Sequence, residues 1–372
     1  MERRALLTGL AAVGAATLLG CSSESEPAAP TRRPTTKPTP TRTPTAAPTP
    51  RAGTPRLDRE IATGLAVPWG IAFLDDGDAL VSLRDEGRIV RVTQRGSVRD
   101  VGSVEGSNGV TGGEGGLLGL AIPPDDPGTL FAYVTTSTDD RVVKMSISSR
   151  GLGRPRPVLT GIPIGARHHG GRLLFDDDGL LLVSTGEAGN PPLAQDRDNL
   201  SGKILRIDRD GSAADGNPFG NRTWSYGHRN VEGLALDERG RLWAAEFGDK
   251  SADELNLIRK GRNYGWPRVE GRSDQEGLEN PKVTWGTDEC SPSGLAITGR
   301  TAFVGALQGE CLFAVPLDGP DAMEPTAHFA REHGRIRSVA VAPDGALWVT
   351  TSNRDGRGTV RDGDDRILRV TV

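Results

Sequence analysis

The sequence repeats one short pattern six times, and this repetition constrains the fold more than any other feature of the chain. Each copy opens a short apolar strand with a small residue and leads through a turn to a second strand. Successive openings are separated by 49, 52, 62, 61 and 44 residues. The copies begin at Gly70-Ile-Ala-Phe, Gly119-Leu-Ala-Ile, Gly171-Arg-Leu-Leu-Phe, Gly233-Leu-Ala-Leu, Gly294-Leu-Ala-Ile and Ser338-Val-Ala-Val.

The turns that join the strands contain Asp-Gly pairs, as at Asp76-Gly77, Asp178-Gly179 and Asp344-Gly345. Such pairs suit tight hairpins because glycine tolerates positive φ. A third strand follows in most copies, as at Ile204-Leu-Arg-Ile. Repeats of this length are typical of four-stranded blades, so the sequence predicts an all-β fold, a six-bladed β-propeller.

The propeller is expected to span residues 57–372. A pair of β-sandwiches would also explain the short strands, but it would not explain six similar openings. The segment Leu57–Thr63 precedes the first copy, and we expect it to add an outer strand to the last blade and so close the ring.

The first 21 residues have the features of an export signal. Arg3 and Arg4 precede the apolar stretch Ala5–Leu19, and Cys21 follows where a bacterial lipobox would end. This resemblance implies cleavage before Cys21 and lipidation of its thiol; the alternative is an ordinary secretory signal with an incidental cysteine. The paired arginines are also similar to a twin-arginine signal, which exports folded proteins.

Residues 22–56 are dominated by Pro, Thr, Ser, Arg and Ala, which predicts an extended tether without a core. We therefore expect an exported protein held at the outer face of the cell membrane, touching the membrane through its lipid anchor only. The whole chain has 45 Lys and Arg against 49 Asp and Glu, so it offers no large basic surface for nucleic acid. A small-molecule partner is favoured instead.

Cys290 and Cys311 are the two cysteines that remain beyond the lipobox. An even number of cysteines in an exported protein indicates a disulfide rather than a metal site. We predict that these two residues are bonded to each other.

Polar residues of the types used in catalysis and ligand binding recur at equivalent points of different repeats. Each has an ordinary structural explanation when taken alone. In a ring, equivalent points converge on one mouth, which favours a functional site. The segments are Arg167-His168-His169-Gly170-Gly171-Arg172-Leu173, Ser184-Thr-Gly-Glu187, Tyr226-Gly-His228-Arg229-Asn230, Glu246-Phe-Gly248-Asp249, Asp253-Glu254-Leu-Asn-Leu-Ile, Asn263-Tyr264-Gly-Trp266-Pro267 and Arg335-Ile-Arg337.

From about Val67 to Val372, these segments in this order resemble the soluble aldose and glucose dehydrogenases that use pyrroloquinoline quinone (PQQ). PQQ is a flat ortho-quinone with several carboxylates, so its pocket needs fixed cations and forked donors. The resemblance implies that Arg229, Arg335 and Arg337 bind these carboxylates and that Asn230 adds a neutral donor.

The resemblance also implies two calcium ions. Calcium is a hard cation that prefers oxygen ligands. One would be held by PQQ and by the backbone carbonyls of Gly248 and Asp249. The second, a structural ion, would be held by the Glu254 carboxylate and the main chain of Tyr264.

In this family the reaction oxidises an aldose at C1 to a lactone and passes the electrons to an acceptor, which the sequence does not identify. His168 matches the base that takes the proton of the C1 hydroxyl, and Glu187 matches the carboxylate that fixes the tautomer of this base. His169 falls at a position without a catalytic counterpart and is expected to be structural.

Two positions depart from the best-known glucose enzymes but are still expected near the cofactor. Glu114 stands where those enzymes have Gln, and Gln308 stands where they have a Lys that contacts PQQ. Two other functions remain open at this point. The chain could be a non-catalytic propeller of the same family that binds a sugar or a partner, or it could be a calcium-dependent lactonase.

Overall fold

The computed structural model describes residues 53–109 and 113–372, and this part of the chain consists almost entirely of β-strands. A 3₁₀ helix at Pro191–Gln195 is the one helical element there. The strands are β1 (Arg56–Ala62), β2 (Pro68–Phe73), β3 (Ala79–Leu83), β4 (Arg88–Val92), β5 (Val98–Ser103), β6 (Leu117–Ala121), β7 (Thr129–Thr135), β8 (Asp140–Ser148), β9 (Gly151–Leu152), β10 (Arg156–Ile162), β11 (Gly170–Phe175), β12 (Leu181–Thr185), β13 (Lys203–Ile207), β14 (Thr223–Tyr226), β15 (Val231–Leu236), β16 (Leu242–Glu246), β17 (Asp253–Leu257), β18 (Val283–Trp285), β19 (Pro292–Thr298), β20 (Thr301–Ala306), β21 (Cys311–Asp318), β22 (Asp321–Ala322), β23 (Thr326–His328), β24 (Ile336–Val341), β25 (Leu347–Thr351) and β26 (Ile367–Thr371).

The strands form six antiparallel sheets, each of four or five strands. The inner strand of each sheet lies against the inner strands of the two neighbouring sheets. These contacts run from β2 through β6, β11, β15, β19 and β24 and return to β2, so they close a ring. We number the blades 1 to 6 by these inner strands. The predicted six-bladed β-propeller is therefore confirmed.

The ring is closed by strands from the two ends of the described chain. Blade 6 has the order β1-β26-β25-β24, with β1 antiparallel to β26 and Leu57 opposite Val370. The outer strand expected from Leu57–Thr63 is thus confirmed, and it begins at Arg56. The predicted signal peptide, the lipidated Cys21 and nearly all of the predicted tether lie outside the described residues. No helix in the described part is long and apolar enough to cross a membrane.

The glycines that open the repeats allow neighbouring inner strands to approach closely. A Cβ on Gly119 would lie 2.2 Å from the carbonyl oxygen of Gly171 in the next blade, and one on Gly233 would lie 2.5 Å from that of Ser293. Such separations are far below a normal contact, so a side chain would push the blades apart. Equivalent contacts of 2.6 Å hold for Gly70 with Leu118 and for Gly294 with Arg337.

The hydrophobic core is divided among the six interfaces between blades. Between blades 4 and 5, for example, Trp243 and Leu255 pack with Leu295 and Val304. Clusters of the same kind lie at the other five interfaces. Each fully buried large apolar side chain contributes roughly 1.5–3 kcal/mol to the stability of the fold. The stability of the propeller therefore comes from the packing of each blade against its neighbours.

Arg172 fills the centre of the ring. Its guanidinium lies 4.2 Å from the ring centroid of Trp69 in blade 1, and its Nε donates to the carbonyl oxygen of Glu232 in blade 4 at 2.7 Å. A second nitrogen donates to Ser338 Oγ in blade 6 at 3.2 Å. Burial lowers the pKa of Arg172 to about 10. Since its partners come from three blades, this side chain blocks the axis of the propeller.

The disulfide predicted between Cys290 and Cys311 is wrong for this structure, which has both residues as free thiols. Both side chains are buried in the apolar cluster between blades 4 and 5. Burial raises the pKa of both thiols, that of Cys311 to about 12. They therefore pack as small apolar side chains, a common environment for free cysteine.

Candidate functional site

The predicted site residues occupy two kinds of position in the blades. His168 and Arg229 lie just before the inner strands β11 and β15, whereas Glu187 and Gly248 follow the second strands β12 and β16. In an antiparallel pair, the start of one strand lies beside the end of the next. These positions therefore meet at one mouth of the ring.

The loops at this mouth enclose a cleft of about 340 Å³. Three of the predicted site residues, Glu187, Glu254 and Tyr264, do not line it. The other nine do: Glu114, His168, Arg229, Asn230, Gly248, Asp249, Gln308, Arg335 and Arg337.

His168 and Glu187 form a buried pair at the wall of the cleft. His168 Nδ1 is hydrogen-bonded to Glu187 Oε1, and the residues are 7% and 1% exposed. Because a carboxylate can only accept, the proton of this bond belongs to Nδ1. In the neutral imidazole, Nε2 then carries the lone pair that a general base requires.

The backbone around His168 is constrained. His168 has a φ of +63°, a conformation that residues other than glycine seldom adopt outside functional sites. Its N–H donates to Glu114 Oε2 at 2.7 Å, and its carbonyl oxygen accepts from the N–H of Ala188 at 3.1 Å. A Cβ on Gly186 would lie 1.9 Å from that carbonyl oxygen. The loop is thus held in one shape that fixes the imidazole.

His169 is directed away from this pair. Its Nδ1 contacts Asp140 Oδ2 at 2.8 Å, and its carbonyl oxygen accepts from the hydroxyl of Tyr133 at 2.8 Å. Burial lowers the pKa of His169, but the hydrogen bond and the charge of Asp140 outweigh burial, and the net pKa is raised. These contacts agree with a structural role for His169.

Glu114 is an ionised carboxylate with both oxygens engaged. Oε2 accepts from the N–H of His168, and Oε1 accepts from Arg357 at 2.8 Å. Burial raises the pKa of Glu114, yet these two donors reverse the effect and leave the pKa below its ordinary value. Gln308, the other departure, is exposed at the rim of the cleft.

The predicted cofactor-binding arginines have carboxylate partners inside the protein. Arg229 pairs with Asp249 at 3.1 Å, and Arg335 pairs with Asp355 at 3.0 Å. Arg337 contacts Asp355 at 3.3 Å and Glu232 at 2.9 Å. These bonds hold the guanidinium groups in fixed orientations.

Asn230 is held by two bonds of its side-chain amide. Its Oδ1 accepts from the N–H of Gly170 at 2.9 Å, and its Nδ2 donates to Glu232 Oε1 at 3.3 Å. Glu232 Oε2 also accepts from Ser293 Oγ at 2.6 Å and from Arg337 at 2.9 Å. One carboxylate therefore orients an amide and a guanidinium that both line the cleft.

The cleft is rich in arginine and has two unsatisfied donors. Six arginines and four carboxylates line it, and Asp85 and the buried Asp355, which are not part of the lining, pair with three of these arginines. Arg84 Nη2 and Arg229 Nε are buried and have no hydrogen-bond partner among the described residues. A buried donor without a partner costs about 1–3 kcal/mol, which an anionic ligand would recover. The arginines are Arg84, Arg167, Arg229, Arg335, Arg337 and Arg357, and the carboxylates are Glu114, Glu232, Asp249 and Asp253.

Asp253 is a buried carboxylate in the wall of the cleft beside Gly248. Its two oxygens accept from the N–H groups of Gly248 at 2.8 Å and Ser291 at 2.6 Å. Burial outweighs these donors and raises the pKa of Asp253 to about 6.

Glu254 and Tyr264 lie outside the cleft lining. Glu254 is paired across the sheet with Glu246, and Asn256 donates to both carboxylates. Burial, followed by the charge of Glu246, raises the pKa of Glu254 to about 8. The Tyr264 ring stacks on His228 with centroids 4.6 Å apart. In the described ranges, no three His, Cys, Asp or Glu side chains form a cluster that could hold a metal ion.

Several residues of the site were missed by the sequence analysis. Arg84 follows the apolar strand β3 directly, at the position that Gly186, the neighbour of Glu187, has in its blade, and this signal could have identified it. Glu232 interrupts the apolar strand β15, which was a second signal. The residues missed are Arg84, Glu232, Asp355 and Arg357, and Asp253 was named only as the start of a candidate segment, without a role.

The fold and the cleft define a propeller with a buried histidine–carboxylate pair beside a site for an anionic group. The Glucose / Sorbosone dehydrogenase family model matches residues 65–367, and the chain belongs to this family. Aldose sugar dehydrogenase YliI of Escherichia coli is 31% identical over 78% of this chain and 88% of its own length. Quinoprotein glucose dehydrogenase B of Acinetobacter calcoaceticus is 32% identical over 58% of this chain and 53% of its own length.

Among solved structures, the PQQ-bound form of aldose sugar dehydrogenase from Streptomyces coelicolor is 46% identical, with a TM-score of 0.83. The likeness covers 86% of this chain and 99% of that one. The resemblance found in the sequence is thus confirmed, and the chain is a member of a family of sugar-oxidising enzymes rather than of lactonases.

Proposed function

We propose that this protein is a PQQ-dependent dehydrogenase that oxidises an aldose at C1 to the lactone. The observation that carries the proposal is the His168–Glu187 pair in the wall of an arginine-rich cleft. The solved Streptomyces relative with this fold is described in its PQQ-bound form, which supports the same cofactor here.

The residues of the cleft fit an anionic quinone. The six guanidinium groups of the lining, with the unpartnered nitrogens of Arg84 and Arg229, suit the carboxylates of PQQ. The guanidinium of Arg229 lies 5.4 Å from the ring centroid of Trp266, so its plane is held in place. Arg357 lines the same cleft and pairs with Glu114, so it compensates the carboxylate that stands in place of a neutral Gln.

When bound, PQQ supplies a quinone oxidant that accepts the hydride from C1 and later passes its electrons to an external acceptor. His168 Nε2 takes the proton of the C1 hydroxyl as the C1–O bond becomes a carbonyl. Glu187 then stabilises the imidazolium that results, because its carboxylate already accepts the Nδ1 proton. The constrained loop keeps the base in position throughout.

Calcium is part of the proposal. The main-chain oxygens of Gly248 and Asp249 belong to residues of the cleft wall, and they are the hard donors that Ca²⁺ prefers. A second ion held by Glu254 and Tyr264 would stabilise the ionised form of Glu254, whose pKa burial and the charge of Glu246 raise to about 8.

The test is reconstitution of the protein, freed of cofactor and metal, with PQQ and calcium. We expect PQQ- and calcium-dependent reduction of a dye with at least one member of a panel of aldoses. A spectral titration run in parallel measures PQQ binding itself. Binding without turnover would favour a non-catalytic propeller, and no binding would reject the proposal.

We further propose that the protein is exported and anchored to the outer face of the cell membrane through lipid on Cys21. The support is the sequence of residues 1–21, with its basic start, apolar stretch and terminal cysteine. Radiolabelled fatty acid should enter the parent protein and not the Cys21→Ala variant, and the variant should leave the membrane fraction. Equal labelling of both proteins would contradict the anchor.

A further inference from the structure

The Glu270 carboxylate accepts hydrogen bonds from backbone N–H groups of the loop that follows β16. Its Oε1 accepts from Asp249 at 2.6 Å, Lys250 at 2.9 Å, Ser251 at 3.0 Å and Ala252 at 3.1 Å. Four successive N–H groups that point to one carboxylate oxygen form an anion-binding concavity. The loop is therefore wrapped around a side chain that does not itself line the cleft.

This arrangement determines where the carbonyl groups of the loop point. The peptide bonds of the loop are trans, so the N–H and C=O of one peptide unit point in opposite directions. The N–H of Asp249 shares its peptide unit with the carbonyl of Gly248, and the N–H of Lys250 shares its unit with the carbonyl of Asp249. Since both N–H groups face Glu270, both carbonyls face away from it.

The carboxylate also packs against the loop at Gly248. A Cβ at this position would lie 2.6 Å from Glu270 Oε1 and 2.1 Å from the carbonyl oxygen of Ala252. The N–H of Gly248 is bonded separately to Asp253 Oδ1 at 2.8 Å. Every N–H from Gly248 to Ala252 is thus engaged on the side of a carboxylate, and Gly248 and Asp249 line the cleft.

We propose that Glu270 is a positioning residue that presents the carbonyl oxygens of Gly248 and Asp249 to the catalytic calcium ion. The inference rests on the proposed function. Without Glu270, four N–H groups lose their acceptor and the peptide units of the loop can rotate, which turns the two carbonyls away. The negative charge behind the loop is lost as well, and this charge favours a cation on the opposite side.

The experiment is a calcium titration of chelator-treated protein in the presence of PQQ, followed by the absorbance change of PQQ on binding. We expect Glu270→Ala to raise the calcium concentration at half-maximal change by about 10–100-fold, the usual effect of losing an outer-shell partner of a metal site. Glu270→Gln keeps an acceptor oxygen without its charge and should fall between this variant and the parent. The exposed Glu276 serves as the matched control, and Glu276→Ala should titrate like the parent.

The outcomes separate the inference from the proposed function. A parent protein whose PQQ spectrum does not respond to calcium would reject the catalytic ion. A parent that responds, together with Glu270→Ala titrating at the same calcium concentration, would reject the role of Glu270 alone. Amide hydrogen exchange of the parent provides a test that needs no variant. The N–H groups of residues 249–252 should be protected before calcium is added, and rapid exchange there would overturn the inference.

Discussion

Replacing His168 by Gln tests the chemistry of the site most directly. The substitution removes the imidazole but retains a polar side chain of similar length in the same loop. A positioned general base contributes about 10²–10⁴-fold to the rate, so we expect turnover to fall by this factor. At about 1.36 kcal/mol per tenfold change, this corresponds to about 2.7–5.4 kcal/mol of lost transition-state stabilisation.

His168→Gln also lowers the folding stability, and this loss, which is separate from the loss of turnover, can be estimated from the contacts of the pair. Glu187 is 1% exposed, and its Oε2 has no partner in the described part of the chain. Loss of the His168 bond to Oε1 would leave the carboxylate less satisfied, at a cost of about 1–3 kcal/mol. His169→Gln is the matched control because His169 is 6% exposed, adjacent in sequence and bonded to a buried carboxylate, Asp140.

The assay measures kcat with PQQ and calcium saturating, together with thermal unfolding and the PQQ spectrum of each variant. We expect similar losses of stability in His168→Gln and His169→Gln but a large loss of kcat in the first alone. Glu187→Gln should lie between them, because the base remains but its protonated form is less stabilised. Parent-like turnover in His168→Gln, or equal loss of turnover in both histidine variants, would refute the assignment of the base.

Arg84→Gln should weaken PQQ binding about 10- to 100-fold, because a charged donor is lost. The control variant Arg99→Gln changes an exposed arginine and should bind PQQ like the parent. Equal dissociation constants for Arg84→Gln and the parent in a spectral titration would contradict the prediction. Although burial raises the pKa of Glu270, the loop N–H groups lower it to about 2 from 4.5. The ionised form therefore stabilises the fold fully above about pH 4.5, and the Tm advantage of the parent over Glu270→Gln should shrink as the pH falls toward 2; a constant difference would contradict it. In an assay without reductant, Cys290 and Cys311 should react with a thiol reagent only after the protein is denatured. If neither cysteine reacts in the denatured protein, the two are bonded to each other.

The fold could be predicted from the sequence because its determinants are local and repeated. Gly119 and Gly233 each open an inner strand where the next blade approaches too closely for a side chain, and five of the six repeats open with glycine. The closing strand was predictable for a different reason. Leu57–Thr63 contains both apolar and polar residues and belongs to none of the six repeats. Since the last blade needed an outer strand, the segment could be assigned to that position.

The site could be predicted only in part, because its supporting contacts join distant parts of the chain. His168 and Arg229 stand in recognisable motifs, whereas the carboxylates that orient the arginines do not. Arg337 and its partner Glu232 are separated by 105 residues, and no local pattern links them. The cysteine prediction failed because an even count of cysteines indicates pairing but carries no information about packing.

The pairing of β1 with β26 has a consequence for how the protein is made. Residues separated by 311 positions, Asp58 and Arg369, form a salt bridge across this seam. Contacts so distant in sequence form slowly, and these cannot form until the last strand has been synthesised. A nascent chain that lacks Ile367–Thr371 leaves β1 and β25 with open edges, which are prone to pair with other chains. Closure of the ring therefore waits for β26, and a chain that ends before Ile367 exposes two strand edges instead of forming a slightly shortened propeller.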